Sequence, residues 1–360
     1  MAPPASSSEQ LHFILVPLPA QGHIIPMIDI AKLLAAHGST ATLVTTPLNA
    51  ARFSDAFLRA RASGLDVRTL VIPFPSSRDL PTGCESLDSL PSPGLLRRFY
   101  AALDSLEAPL EARLLKAIHP PPSCVISDRC LPWTTRTARR FGVPRLVFHG
   151  MSCFALLGSH NVRVSGAHLV KRPETEAFEI PGMPVGVRIS RAQLPGSLVA
   201  MPELDDIRGR MAEAESSAYG VVVNSFEEVE GGCVEEYRKV VNNRVWCIGP
   251  VSLCNRETRD KFERGNKASI DETKIGVRVG VELPVRWGEE ERVGVLVGKE
   301  GVGSAIETLM GGGEEGEKRR MRSEELRAVA NCKMENGGSA HRNISTLIRD
   351  VMEHQAQVRH

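Results

Sequence analysis

The stretch Leu11–Gly38, LHFILVPLPAQGHIIPMIDIAKLLAAHG, constrains the rest of the chain because it passes from strand to helix within a few residues. The apolar run from His12 to Val16 has the length and content of a buried strand. Pro17, Pro19 and Gly22 then break it into a tight loop. Ile24, Ile25, Met27, Ile28, Ile30, Ala31, Leu33 and Leu34 recur at helical spacing until Gly38 stops the helix. His23 therefore stands where a strand has ended and a helix is starting. Ligands of open α/β sheets bind in the crevice beyond the carboxyl ends of the strands.

The same alternation continues downstream. Thr40–Thr46, Val67–Ile72, Cys124–Ser127, Arg145–Phe148, Tyr219–Asn224 and Arg244–Gly249 read as strands. Between them Asn49–Ser63, Gly94–Ile118, Leu131–Phe141, Met151–Gly166, Glu203–Ser217 and Phe226–Val240 read as helices. Such alternation predicts an α/β fold with a doubly wound parallel sheet. Pro73–Pro93 reads as a long surface loop, and residues 167–202 as a connection punctuated by Pro and Gly. The expected organisation is a flexible tail at 1–10, a Rossmann-like domain at 11–250, a charged linker at 251–274 and a truncated C-terminal α/β remnant at 275–360. That remnant offers two short strands, Ile275–Val281 and Val293–Val297, and helices at Val302–Met310, Lys318–Lys333 and His341–Glu353. One βαβ unit takes about 30 residues or more, so a second complete doubly wound domain does not fit.

Composition excludes several classes of function. The 44 basic and 43 acidic residues leave a formal charge of +1, too little to steer toward nucleic acid or anionic lipid. Aromatic residues, at 5%, are too sparse for base-stacking platforms. No segment approaches the roughly 20 apolar residues that span a bilayer, and the N-terminus lacks the basic and apolar regions of a secretory signal. The eight cysteines form no C-x-x-C and no metal-type pairing with histidines, so they read as reduced thiols of a cytoplasmic protein. The ten histidines show no metal-ligand spacing, and no metal is expected.

Two residues carry candidate chemistry. The positive end of the helix macrodipole disfavours a protonated imidazole at position 23, leaving His23 neutral and able to accept a proton. The alternative is a histidine that merely caps the helix. Asp128 directly follows the strand Cys124–Ser127, on the same rim of the sheet. It can take the second imidazole N–H, fix the tautomer and stabilise the imidazolium, or serve only as an N-cap for the helix at 131. Other motifs fail: Gly301-Val-Gly303 lacks the third glycine of a dinucleotide fingerprint, and Gly298-Lys299 has Val293 where a P-loop needs glycine.

PLPAQGHIIPMIDIAKLLAAHG, CVISDRCLPWT, YGVVVNSFEEVE and RVWCIGPVSLC resemble the plant family 1 UDP-glycosyltransferases over roughly residues 11–255. The resemblance resumes near Lys274, through IGVRVGVE, the Trp287 region, the Gly301–Met310 helix and ENGGSAHRNISTLI. It implies the GT-B arrangement of two facing Rossmann-like domains. It also implies inverting transfer of a sugar, glucose in the first instance, from a UDP-sugar to a hydroxyl of a small lipophilic acceptor such as a phenolic, terpenoid or hormone. His23 matches the family's catalytic base and Asp128 its orienting acid. Gly22, Phe148, Met151, Phe154 and Leu157 fall on the acceptor side. The UDP-sugar is a co-substrate, no cofactor is implied, and a monomer without nucleic-acid or membrane partners is expected. The family's donor signature, from W-A-P-Q through H-C-G-W-N-S to an acidic-Gln pair, is absent between the linker and the closing segment. The chain is therefore expected to lack the residues that hold uracil, ribose, diphosphate and sugar. Weak or absent turnover follows, and a catalytically inert acceptor- or partner-binding protein is the alternative.

Overall fold

The structure, a computed structural model, describes residues 10–75, 80–241, 244–255, 276–277, 279 and 297–359. The expected tail, most of the linker and the two strands expected between 275 and 297 fall largely or wholly outside the described residues.

The first unit is β1 (His12–Val16) and α1 (Gln21–Ala36), followed by β2 (Thr40–Thr45), α2 (Pro47–Arg52), α3 (Ser54–Ala62) and β3 (Val67–Val71). The chain then runs through α4 (Leu96–Asp104), α5 (Glu107–Ala117), β4 (Cys124–Asp128), α6 (Thr134–Arg140), β5 (Arg145–His149) and α7 (Cys153–Ser165). A small hairpin, β6 (Ala177–Glu179) and β7 (Arg188–Ser190), precedes α8 (Asp205–Ser216), β8 (Gly220–Val223), α9 (Cys233–Val241) and β9 (Arg244–Cys247). Three helices follow the linker region: α10 (Lys299–Met310), α11 (Glu314–Met334) and α12 (Ser339–Arg359).

Seven strands pair in parallel in the order β3-β2-β1-β4-β5-β8-β9, the doubly wound sheet expected. From β1 the chain winds outward to β2 and β3, and from β4 it winds the other way. The reversal falls between β1 and β4, where Val16 is in register with Ser127. That is the topological switch point, at which such sheets bind ligands.

Side chains alternate across the sheet with the period of two that a strand imposes. Phe13 and Leu15 face one core with Ile24, Met27 and Ile28 of α1 and Phe57 of α3. Ile14 and Val16 face the other, with Phe99 and Leu103 of α4 and Leu110 and Leu114 of α5. The first core has a further contributor. Ile344, Leu347 and Val351 of α12, spaced for one helical face, pack into it at 2%, 1% and 0% exposure.

Two long helices expected from periodicity are each divided. The span 94–118 breaks between α4 and α5 around Ser105 and Leu106, because Pro109 lacks an N–H for the fourth residue back and crowds its carbonyl. The span 49–63 breaks at Phe53, which caps the end of α2 and the start of α3. The 73–93 loop is not wholly a surface feature, since Leu80, Cys84 and Leu90 are buried in the second core. Its Leu87 N–H donates to the Pro19 carbonyl at 2.7 Å and its Ser86 hydroxyl to the same oxygen at 3.0 Å. The loop is thereby tied to the turn that follows β1.

Candidate active site

α1 starts without a side-chain cap from its own sequence, because Ala20 holds the N-cap position. Its first amide is served from outside, with Gln21 N–H donating to Asp88 Oδ2 at 2.6 Å. His23 is the third residue of this helix, its side chain 36% exposed at the carboxyl end of β1. Asp128 closes β4 on the neighbouring strand and is 2% exposed.

The two residues meet. His23 Nδ1 lies 2.8 Å from Asp128 Oδ1. The other carboxylate oxygen, Oδ2, accepts the Leu18 N–H at 2.7 Å, tying the loop after β1 to the end of β4. A carboxylate only accepts, so Nδ1 carries the proton in the neutral ring and Nε2 carries the lone pair. The N-cap alternative for Asp128 loses its basis: α6 begins at Thr134, and Leu131 N–H donates to the Asp128 backbone carbonyl rather than its side chain.

Beneath Asp128 lies a buried charge network that periodicity gave no hint of. Arg145 at the start of β5 is 4% exposed. Its Nε donates to Ser127 Oγ at 2.8 Å, and Nη2 to the Asp128 carbonyl at 3.2 Å. Nη1 donates to the Ala214 carbonyl at 2.9 Å and to Thr135 Oγ1 at 3.1 Å. Burial pushes the guanidinium down to about 10 against the opposing charges of Glu215 and Asp128. Glu215 at the end of α8 stands 2.6 Å from His149 Nε2 and accepts Arg129 Nε at 2.6 Å. Burial alone would raise its carboxyl; the His149 bond and the His149 and Arg129 charges outweigh that and hold it at about 2. The available signal was a charged residue opening the apolar run RLVFH.

The expected acceptor-side residues separate into two groups. Gly22 is exposed beside His23, Met151 is 47% exposed after β5, and Phe154 is half-buried in the first turn of α7. Phe148 and Leu157 are buried. Phe148 is fully enclosed in the first core and Leu157, 1% exposed, packs against Val221 and Val223. Strand alternation turns Phe148 inward and the helix period turns Leu157 toward the sheet. The N-terminus of α7 is already occupied: Glu230 accepts the Cys153 and Phe154 N–H groups at 3.0 and 2.8 Å. A cavity of about 1120 Å³, bordered by Lys32, His37, Asn255 and His341, opens at the other end of α1, away from the dyad.

No group of three or more metal-binding side chains occurs among the described residues. No helix among them is long and apolar enough to cross a membrane.

Comparison with known proteins gives this rim a context. Residues 9–253 match the family described as "Glycosyltransferase, N-terminal domain". The chain is 37% identical to UDP-glycosyltransferase 73D1 of Arabidopsis thaliana, covering 97% of this chain and 98% of the relative. It is 33% identical to UDP-glycosyltransferase 73C5 of the same plant, over 98% and 99%. These alignments run over 497 and 490 positions against 360 residues here, so more than a hundred positions of each have no counterpart in this chain. Among solved structures, Glycyrrhiza uralensis UGT73P12 complexed with glycyrrhetinic acid 3-O-monoglucuronide superposes with a TM-score of 0.84 at 23% identity, covering 97% of both chains. Phytolacca americana UGT2 complexed with UDP-2-fluoro-glucose and pterostilbene does so with 0.67 at 15% identity, covering 96% of this chain and all of that one. These two likenesses establish the GT-B-type fold. From the family match and the near full-length identity to the two Arabidopsis proteins, the chain belongs to the plant family 1 UDP-glycosyltransferases, enzymes that move a sugar from UDP to a small molecule.

Proposed function

We propose that this chain carries the acceptor half of an inverting UDP-glycosyltransferase, with His23 as the base and Asp128 as the group that orients it. The observation that supports this most directly is the 2.8 Å contact between His23 Nδ1 and Asp128 at the switch point of the sheet. In this reading a small lipophilic acceptor, a phenolic, terpenoid or hormone, presents a hydroxyl to His23 Nε2. The ring takes the proton while the oxygen attacks the anomeric carbon of the sugar, glucose in the first instance. The bond from that carbon to the diphosphate breaks, UDP leaves with the electron pair, and the anomeric configuration inverts. Asp128 stabilises the imidazolium that forms, and a base so placed contributes about 10²–10⁴-fold. Gly22, Met151 and Phe154 border the acceptor, in keeping with sites that are mostly apolar with few polar groups. The protein acts in the cytoplasm as a monomer.

A second reading follows from one specific observation. The donor signature is missing from the sequence, and more than a hundred positions of the relatives lack a counterpart. Nothing then replaces the diphosphate-binding segment, and the chain binds acceptors without transferring sugar. UDP release measured with UDP-glucose and a phenolic panel, against a His23→Ala control, tests the first reading. The expected result is acceptor binding with turnover close to that control. Turnover well above background that survives His23→Ala would refute the dyad's role. Calorimetry that detects tight UDP binding would refute the loss of the donor site.

A further inference from the structure

We infer that Arg145 is a positioning residue for the His23–Asp128 pair: it fixes the strand end that carries Asp128 and, balanced by Glu215, sets the field in which His23 takes a proton. The guanidinium spends its donors on four partners around the dyad's base, namely Ser127 Oγ, the Asp128 carbonyl, Thr135 Oγ1 and the Ala214 carbonyl. These belong to the end of β4, the start of α6 and the end of α8. One side chain therefore links the carboxyl end of β4 to α6 and α8. A planar fork of fixed donors suits this role better than a flexible ammonium.

Charge follows the same geometry. Arg145 is 4% exposed, and the charges of Glu215 on α8 and Asp128 on β4 favour its cation against burial. Glu215 is in turn held by Arg129 and His149. The Cys130 thiol, driven up to about 12 by burial, stays neutral beside them. On the other side of the dyad, Arg52 and Asp88 form an exposed pair at 3.6 Å beside the start of α1. Opposite charges near a buried pair act through a low dielectric and are screened less than surface charges. The Arg145 cation opposes formation of the His23 imidazolium, whereas the Glu215 anion favours it.

This inference rests on the reading of His23 as proton acceptor, yet its test does not require sugar transfer. The pH titration of the His23 C2–H resonance is followed by NMR in the full chain and assigned by its loss in His23→Gln. Arg145→Gln should raise the His23 midpoint by about half a pH unit or more, as expected for removing a nearby buried cation. Glu215→Gln should lower it, and Arg145→Lys, which keeps the charge but loses the fork, should move it less than Arg145→Gln does. A purely structural role for these residues would not move the midpoint in opposite directions. Should Arg145→Gln fail to fold, Glu215→Gln decides alone. An unmoved midpoint in Glu215→Gln, or displacement of both variants in the same direction, overturns the inference. Normal displacements without any turnover in the wild type would leave the inference standing and favour the reading in which the chain binds acceptors without transferring sugar.

Discussion

Replacing Leu347 with alanine separates a docked last helix from one that merely lies nearby. Leu347 is 1% exposed and sits between Ile344 and Val351 in the core shared with α1 and the sheet. The substitution removes three carbons from that core, worth about 0.8 kcal/mol each. The sheet behind it is close-packed and collapses little into the vacated space, so a cavity term adds to the transfer term. The expected loss is about 3 kcal/mol, inside the 2–5 kcal/mol usual for buried leucines. Urea unfolding followed by tryptophan fluorescence is the suitable assay, since Trp246 is 3% exposed in the same core. With a slope of a few kcal/mol per molar, the midpoint should fall by roughly 1 M. Met352, next to Val351 but 44% exposed, supplies the control, and Met352→Ala should change stability by no more than about 0.5 kcal/mol. If Leu347→Ala unfolds at the same urea concentration as Met352→Ala, α12 does not complete the core.

Gly220→Ala places a Cβ against the Trp246 ring, one atom of it at 2.6 Å, and 3.1 Å from the Arg244 carbonyl. Overpacking there should cost about 2 kcal/mol or more, and a thermal midpoint equal to wild type would rule out the close β8–β9 approach. Glu215 is held near 2 in the folded chain against an ordinary value of 4.5, so its contribution to stability is complete above pH 4.5 and is lost as pH falls toward 2. The stability gap between wild type and Glu215→Gln should therefore narrow across that window, and a constant gap from pH 6 to 2.5 would contradict the assignment.

The sheet was legible because each strand is short, apolar and bounded by turn residues, and because parallel strands buried on both faces read as continuous apolar runs. His23 and Asp128 were legible as individual rim residues. Their contact was expected from the shared rim and from the family resemblance, not from spacing, which says nothing about which strand lies beside β1. The switch between β1 and β4 made them neighbours. Periodicity merged α4 with α5 because Leu103, Leu106 and Leu110 keep the helical spacing straight through the break. It passed over the hairpin of β6 and β7, whose three-residue strands are too short to display a period. The resemblance put Phe148 on the acceptor side, and the period of its strand turns the ring into the first core.

The docking of α12 ties the time course of synthesis to the closure of the first core. Residues near the two ends of the described chain complete one apolar layer. At about 5–20 residues per second, making the 360 residues takes tens of seconds. Throughout that interval the nascent α1 face has no cover from Ile344, Leu347 and Val351. A growing polypeptide of this design carries an uncovered greasy face beside the ribosome until α12 has emerged to close it.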